Sequence, residues 1–229
     1  MVFRRLEQRV PEFRSFVAAA AARLGIDGEL LAARMVGRWR SGAPLERAAL
    51  YDNAALADDP ARNNDFGYAD DPFQRACPYA AHIRKTNPRD DAPGGRAEAN
   101  THRILRAGIP FGPEVAPGET RTAYSRGTLF VCYQISIARQ FEYLQARLAG
   151  NPEFVGGKRR PAGGEAVVPG YDPLIGQAAD GARRMDEPVP NYPLGNRRSS
   201  LELADPFVVP TAAAYLFVPS LAALRTVLS

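Results

Sequence analysis

The run Thr128-Leu129-Phe130-Val131-Cys132-Tyr133-Gln134-Ile135 constrains the fold more than any other stretch of this chain. It is β-branched and aromatic, and too short for a packed helix. Its odd and even positions are alike apolar or neutral, so as a strand it buries both faces and belongs in the interior of a sheet. Gly127 introduces it. Ser136 can cap the following helix, where Ile137, Phe141, Leu144 and Leu148 fall on one stripe, and Gly150-Asn151-Pro152 stops that helix.

Other elements arrange themselves around this strand. Val2-Phe3-Arg4-Arg5-Leu6 reads as a strand, and Pro11 at a first helical position opens a helix through Phe13, Phe16, Val17, Ala20 and Leu24 that Gly25 ends. Asp27 can cap a second helix with Leu30, Leu31 and Met35 on its apolar face, terminated by residues 37–45. A strand-like run follows Arg103 and breaks at Gly108 and Pro110. Residues 206–210 and 214–218 read as two final strands, and residues 220–228 as a short terminal helix. Residues 90–100 read as a surface excursion. The alternation predicts an α+β layer, an antiparallel sheet with helices on one face. It predicts a single domain over residues 1–229 with long irregular loops at about 51–100 and 151–205.

Composition excludes several classes. A net charge of +4 over 229 residues is mild. The arginine pairs 159–160, 183–184 and 197–198 sit in Gly/Pro-rich stretches that read as solvated surface, without an aromatic-interleaved basic stripe, so no nucleic-acid partner is expected. Cys77 and Cys132 lack metal-site spacing and form no disulfide framework. No apolar run reaches 18 residues and the N-terminus lacks a signal-peptide core, so no membrane association and a cytoplasmic location are expected.

The chemistry concentrates in residues 75–106. His82 follows the small residues Ala80 and Ala81 and precedes Arg84, Lys85 and Arg89, with Pro78 and Pro88 stiffening the segment. Arg106 lies 24 positions on (106 minus 82), at the mouth of a Gly-Pro turn. Two readings of His82 stand: a satisfied core histidine, or an imidazole held beside fixed cations, as an iron porphyrin with two propionates requires. In the second, the other ring N–H needs an acceptor that fixes the tautomer. The second histidine, His102, reads as a surface residue.

The segment Cys77-Pro78-Tyr79-Ala80-Ala81-His82-Ile83-Arg84-Lys85-Thr86-Asn87-Pro88-Arg89 closely resembles the proximal haem segment of dye-decolourising peroxidases, and residues 103–112 resemble their distal-arginine strand. The likeness continues, collinearly, through Gly37-Arg38-Trp39, residues 41–45, residues 126–134, Asp172-Pro173-Leu174-Ile175-Gly176-Gln177 and residues 207–211. It implies a ferredoxin-like fold of the dimeric α+β barrel superfamily and haem b (iron protoporphyrin IX) as cofactor. It also implies peroxidase-type oxidoreductase activity on hydrogen peroxide with a small organic reductant. By the same resemblance His82 is the proximal iron ligand and metal-binding residue, and Arg106 the catalytic distal arginine. Arg84 is a propionate partner and Phe130 a distal-pocket aromatic, while Thr128 stands where a leucine is usual. Glu142 is either the carboxylate behind His82 or a surface partner of Arg139 three residues earlier.

The departures are as informative. Two ferredoxin-like halves build the enzymes of that family, and this sequence resembles only the C-terminal, haem-binding half. The distal aspartate of the other half lies in a Gly-x-x-Asp-Gly motif, which is absent: Gly25-Ile26-Asp27-Gly28 is one residue short and the run from Gly176 to Gly181 one residue long. Ala212-Ala213-Ala214 replaces customary glycines. The resemblance therefore implies a peroxidase without its acid. Two other expectations remain open, a haem enzyme turned to other chemistry and a non-catalytic haem-binding or partner subunit. A sheet face left uncovered by a missing half predicts a homodimer.

Overall fold

The computed structural model of the chain describes residues 1–160, 164–178, 181–186 and 199–227. Its strands are β1 (Val2–Gln8), β2 (Leu105–Phe111), β3 (Gly127–Tyr133), β4 (Arg183–Asp186), β5 (Ser200–Leu203) and β6 (Val208–Tyr215). The apolar run after Gly127 lies inside the main sheet, as its two apolar faces require: the order is β2-β3-β1-β6, all antiparallel. Between β1 and β2 comes α1 (Val10–Leu24), and between β3 and β6 a helix spanning Ile137–Ala149. Strand, helix, two strands, helix and strand in this order make the ferredoxin-like arrangement.

Local chemistry accounts for most boundaries. Pro11 opens α1, and Gly25 closes it in the left-handed region at φ 68°. Asp27 caps α2 (Gly28–Val36) by accepting from the Leu30 N–H at 3.0 Å. Gly127 is required where β3 starts: at φ 156°, an added Cβ would lie 1.9 Å from the Leu6 carbonyl oxygen. The two final strands expected from the sequence are one, β6, which passes through Pro210. An edge strand tolerates a proline, and the register with β1 shifts there.

The Ile137–Ala149 helix is wound as a π-helix, with the Gly150 N–H reaching back five residues to the Gln145 carbonyl. Ser136 caps it, as its position predicts. The stretches expected to be irregular are more ordered than that. Residues 51–100 carry α3 (Ala54–Ala57), α4 (His82–Thr86), a 3₁₀ turn (Arg89–Asp91) and the start of α5 (Gly95–Thr101). The expected excursion at 90–100 is thus mostly helical. In the 151–205 stretch, β4 and β5 form a hairpin whose Met185, Leu201 and Leu203 pack against Val17, Ala20 and Ala21 of α1. Arg183 is accordingly buried rather than solvated, donating to the carbonyls of Pro173, Gly176 and Asp205. The pair 197–198 lies outside the described residues, as do Ala179 and Asp180 of the second Gly-to-Gly run.

Register assigns the two faces of the sheet. Arg106, Phe130, Cys132, Val2, Arg4 and Tyr215 point to the side of the π-helix, where Val2, Cys132 and Phe141 form a core cluster. On the other face lie Leu105, Ile109, Tyr133, Val131, Phe3 and Ala214. Leu105 and Ile109 are 73% and 60% exposed there, while Arg5, paired with Glu7, lies over the Phe111 ring. Beyond β6, Phe217 is exposed and α6 (Leu221–Thr226) buries no residue. The last two positions of the chain, including Leu228 of the expected terminal helix, lie outside the described residues. Among the described residues no helix is long and apolar enough to cross a membrane.

Candidate functional site

Buried charges hold the histidine segment. Arg34 of α2 donates to the carbonyls of Gln74, Arg75 and Ala76, while the Asp71 carboxylate accepts from the N–H groups of Arg75 and Cys77. Arg84, fully buried on α4, uses every guanidinium N–H. It binds Asp91 through Nε and Nη2, Asp71 Oδ2 and the Cys77 carbonyl through Nη1, and the Asp71 carbonyl through Nη2. The Tyr68 and Tyr79 rings sandwich it at 4.5 and 4.6 Å. With its five donors spent and no exposure, Arg84 is a framework residue and cannot serve as the propionate partner that the resemblance implied.

With α4 fixed this way, His82 presents its ring to a cavity of about 330 Å³ between α4, the sheet and the π-helix. Its Nδ1 lies 2.7 Å from Asp172 Oδ2. Asp172 is fully buried, and its other oxygen accepts from the N–H groups of Leu174 and Ile175 at 2.8 and 3.0 Å. Burial alone pushes the His82 imidazolium down, but the charge and hydrogen bond of Asp172 outweigh it and raise its pKa. Burial likewise raises the Asp172 carboxyl, yet His82 and the two backbone N–H groups win and lower it. The carboxylate therefore accepts and Nδ1 donates, which leaves Nε2 as the lone-pair nitrogen; among the described residues Nε2 has no partner.

Across the cavity stand Arg106 of β2 and Phe130 of β3, with Phe141, Leu144 and Gln145 of the π-helix forming a side wall. Among the described residues Arg106 has no hydrogen-bond or ion-pair partner; it is exposed and lines the cavity. At the rim, Arg38 and Arg89 converge on Asn64 Oδ1 at 3.2 and 2.6 Å, with the Phe66 ring 5.6 and 3.8 Å from their guanidinium carbons. Burial lowers the pKa of both, but guanidinium stays charged at any physiological pH. Arg103 completes a set of four arginines lining the space. Among the described residues no carboxylate lines it.

The structure thus brings His82, Arg106 and Phe130 to one cavity and separates Arg84 and Glu142 from it. Glu142 accepts from the Tyr215 hydroxyl at 2.9 Å and bonds neither to His82 nor to Arg139. It projects from the face of the π-helix turned towards β6, and Asp172 occupies the place behind His82. Sequence reasoning quoted Asp172 within a matched segment and gave it no role. The local signal was Asp-Pro followed by two free N–H groups, a turn that pins a carboxylate. Arg38 carries no role in the sequence reading beyond its matched run, whereas Arg89 already stands there among the cations after His82. His102 is more than a surface residue: its ring stacks on Tyr143 at 3.7 Å and its nitrogens meet the Arg139 carbonyl and Glu98.

A ferredoxin-like sheet with a carboxylate-backed histidine facing arginines can take an anionic ligand that offers a metal to Nε2. Comparison with known proteins agrees. The family model for the C-terminal part of Dyp-type peroxidases matches residues 33–160. Peroxidase 2 of Mycetinis scorodonius is 40% identical over 245 residues, covering 100% of this chain and 46% of that protein. A dye-decolorizing peroxidase of Exidia glandulosa is 41% identical over 239 residues, covering 98% and 44%. Among solved structures, an ancestral D-type dye-decolorizing peroxidase superposes with a TM-score of 0.86 at 44% identity, over 99% of this chain and 50% of that one. The chain belongs to the dye-decolourising peroxidase family and corresponds to its C-terminal half. It spans about half the length of the relatives it matches.

Proposed function

We propose that this chain binds haem b in the His82 cavity and supports a peroxidase reaction there, reducing hydrogen peroxide at the expense of a small organic reductant. One observation carries the reading: His82 Nδ1 is locked to a buried carboxylate while Nε2 faces a cavity lined with arginines. The donor set fits the cofactor. Nε2 suits iron, the arginines suit propionates and a bound anion, Phe130 and Phe141 suit the porphyrin plane, and the volume lies within the usual range for ligand pockets. Bound there, haem supplies the redox centre for peroxide reduction.

The protein's own contributions follow from the geometry. Asp172 keeps the proton on Nδ1 and makes Nε2 a stronger donor. Arg38 and Arg89, preassembled on Asn64, are the propionate partners in place of Arg84. Arg106 lends positive charge to the oxygen that departs as peroxide is cleaved. A general acid for proton movement contributes roughly 10²–10⁴ in rate. With no carboxylate lining the cavity among the described residues, about 3–5 kcal/mol of barrier lowering is forgone relative to a cavity that has one. Turnover is therefore slow but measurable.

The uncovered sheet face supports a second element of the reading: two copies pair sheet to sheet through Leu105, Ile109 and Tyr133. Haem titration of the purified chain tests the first element. A Soret band with a five-coordinate high-spin spectrum is expected, and its loss in His82→Ala. A chain that takes up no haem, or a variant that keeps the same spectrum, contradicts it.

A further inference from the structure

Lys85 is fully buried one turn beyond His82 on α4, yet it faces away from the cavity. Its ammonium donates to the carbonyl of Asn151 at 2.6 Å and to that of Phe154, with the Phe154 ring 5.7 Å away. Among the described residues no carboxylate pairs with it directly; burial pushes it down to about 7, and the charge of Asp172 opposes that. A buried lysine satisfied by carbonyls costs desolvation, and what it secures here is the backbone of residues 151–154.

That backbone leads to Asp172. The Pro152 carbonyl accepts from the Gly170 N–H at 2.8 Å, and the Ala149 carbonyl from the Asp172 N–H at 3.1 Å. Gly176 closes the same turn on the Asp172 carbonyl at 3.0 Å, and it is packed so closely that an added Cβ would lie 2.5 Å from that oxygen. One helix thus carries both the histidine and the cation that ties down residues 151–154, to which the segment bearing its carboxylate partner is bonded through Gly170.

We infer that Lys85 is a positioning residue: by fixing residues 151–154 to α4, it sets how closely Asp172 approaches His82 and how firmly it holds the Nδ1 proton. A residue that only filled the core would leave the pair untouched when replaced by an apolar chain of similar length. A residue that positions Asp172 would not.

The inference takes His82 as the working residue of the cavity, but its test needs no porphyrin. The chain has two histidines, so in ¹⁵N-labelled protein purified without added haem the imidazole N–H resonances of His82 and His102 can be assigned separately. In Lys85→Met the His82 Nδ1–H resonance is expected to move upfield and to exchange with water at least tenfold faster, as a loosened hydrogen bond requires, with His102 unmoved. Should that variant not fold, Lys85→Gln keeps two N–H donors on a side chain one bond shorter, and the same direction is expected. A folded variant with the His82 resonance unmoved overturns the inference. So does equal movement of both histidines, which marks general loosening. Failure of haem to bind leaves this result intact, and an unmoved His82 resonance leaves haem ligation standing.

Discussion

At the residue scale, the account turns on the His82–Asp172 pair. In the fold His82 titrates above its ordinary 6.5 and Asp172 below its ordinary 3.8. The raised imidazole contributes stability that is complete below the unfolded pKa and lost as pH rises through the folded one. The lowered carboxyl contributes stability present above its unfolded pKa and lost as pH falls through the folded one. The pair is therefore worth most between 3.8 and 6.5. Asp172→Asn should lose more thermal stability at a pH just below 6.5 than at pH 8; melts of the haem-free chain at both values check this. Equal losses would show that the pair is not linked to the imidazole proton. His82 and Arg106 stand out in the sequence through their neighbours and Phe130 only through the resemblance of residues 126–134, and the fold brings all three to one cavity. Arg84 was misread because a cation next to a ligand looks available until its partners are known, and Asp71 and Asp91 are far from obvious ones. Asp172 lies 90 residues from His82, and no local pattern announces which carboxylate will meet which ring.

At the element scale, β3 and its glycine set the register that places Arg106 and Phe130 over the cavity. A one-residue slip would turn both to the opposite face. Gly127→Ala drives a methyl into the Leu6 carbonyl and forces backbone movement where β3 meets β1. It is expected to cost about 1–3 kcal/mol, typical of local backbone strain, read by urea denaturation. An unchanged midpoint would show that the strand junction is looser than described. The existence of β1, α1, α2, β3 and the following helix was legible from periodicity and caps. The π-winding was not: no local pattern announces it, and the helix packs Phe141 on Val2 and Cys132 but Leu148 on Phe154 and Val155, segments far apart in the chain. Nor was the order within 51–100, where short helices are stabilised by tertiary ion pairs and bonds to carbonyls rather than by their own propensity.

At the scale of the whole molecule, two features point outward. Among the described residues one sheet face leaves Leu105 and Ile109 exposed beside the Arg5–Glu7 ion pair, and the chain matches only half the length of its relatives. If two copies cover each other's faces, sedimentation at micromolar concentration gives a dimer, and Ile109→Glu shifts it to monomer without altering the His82 cavity on the opposite face. A monomer in both cases would mean that the face awaits a different occupant, such as a segment equivalent to the relatives' other half. The alternating strand-and-helix order made the fold class readable from the sequence. What periodicity cannot give is the pairing of distant segments, such as the β4–β5 hairpin on α1, because burial there is decided by partners far along the chain.

The most direct test of the central claim, that His82 holds a haem able to reduce peroxide with arginine but no acid beside it, is the visible spectrum of the haem-loaded chain before and after one equivalent of hydrogen peroxide. The account predicts a high-spin histidine-ligated spectrum that changes on adding peroxide and returns when a small organic reductant follows, with the change markedly slower in Arg106→Leu. A spectrum that peroxide leaves unchanged, or that only bleaches without returning, would contradict it.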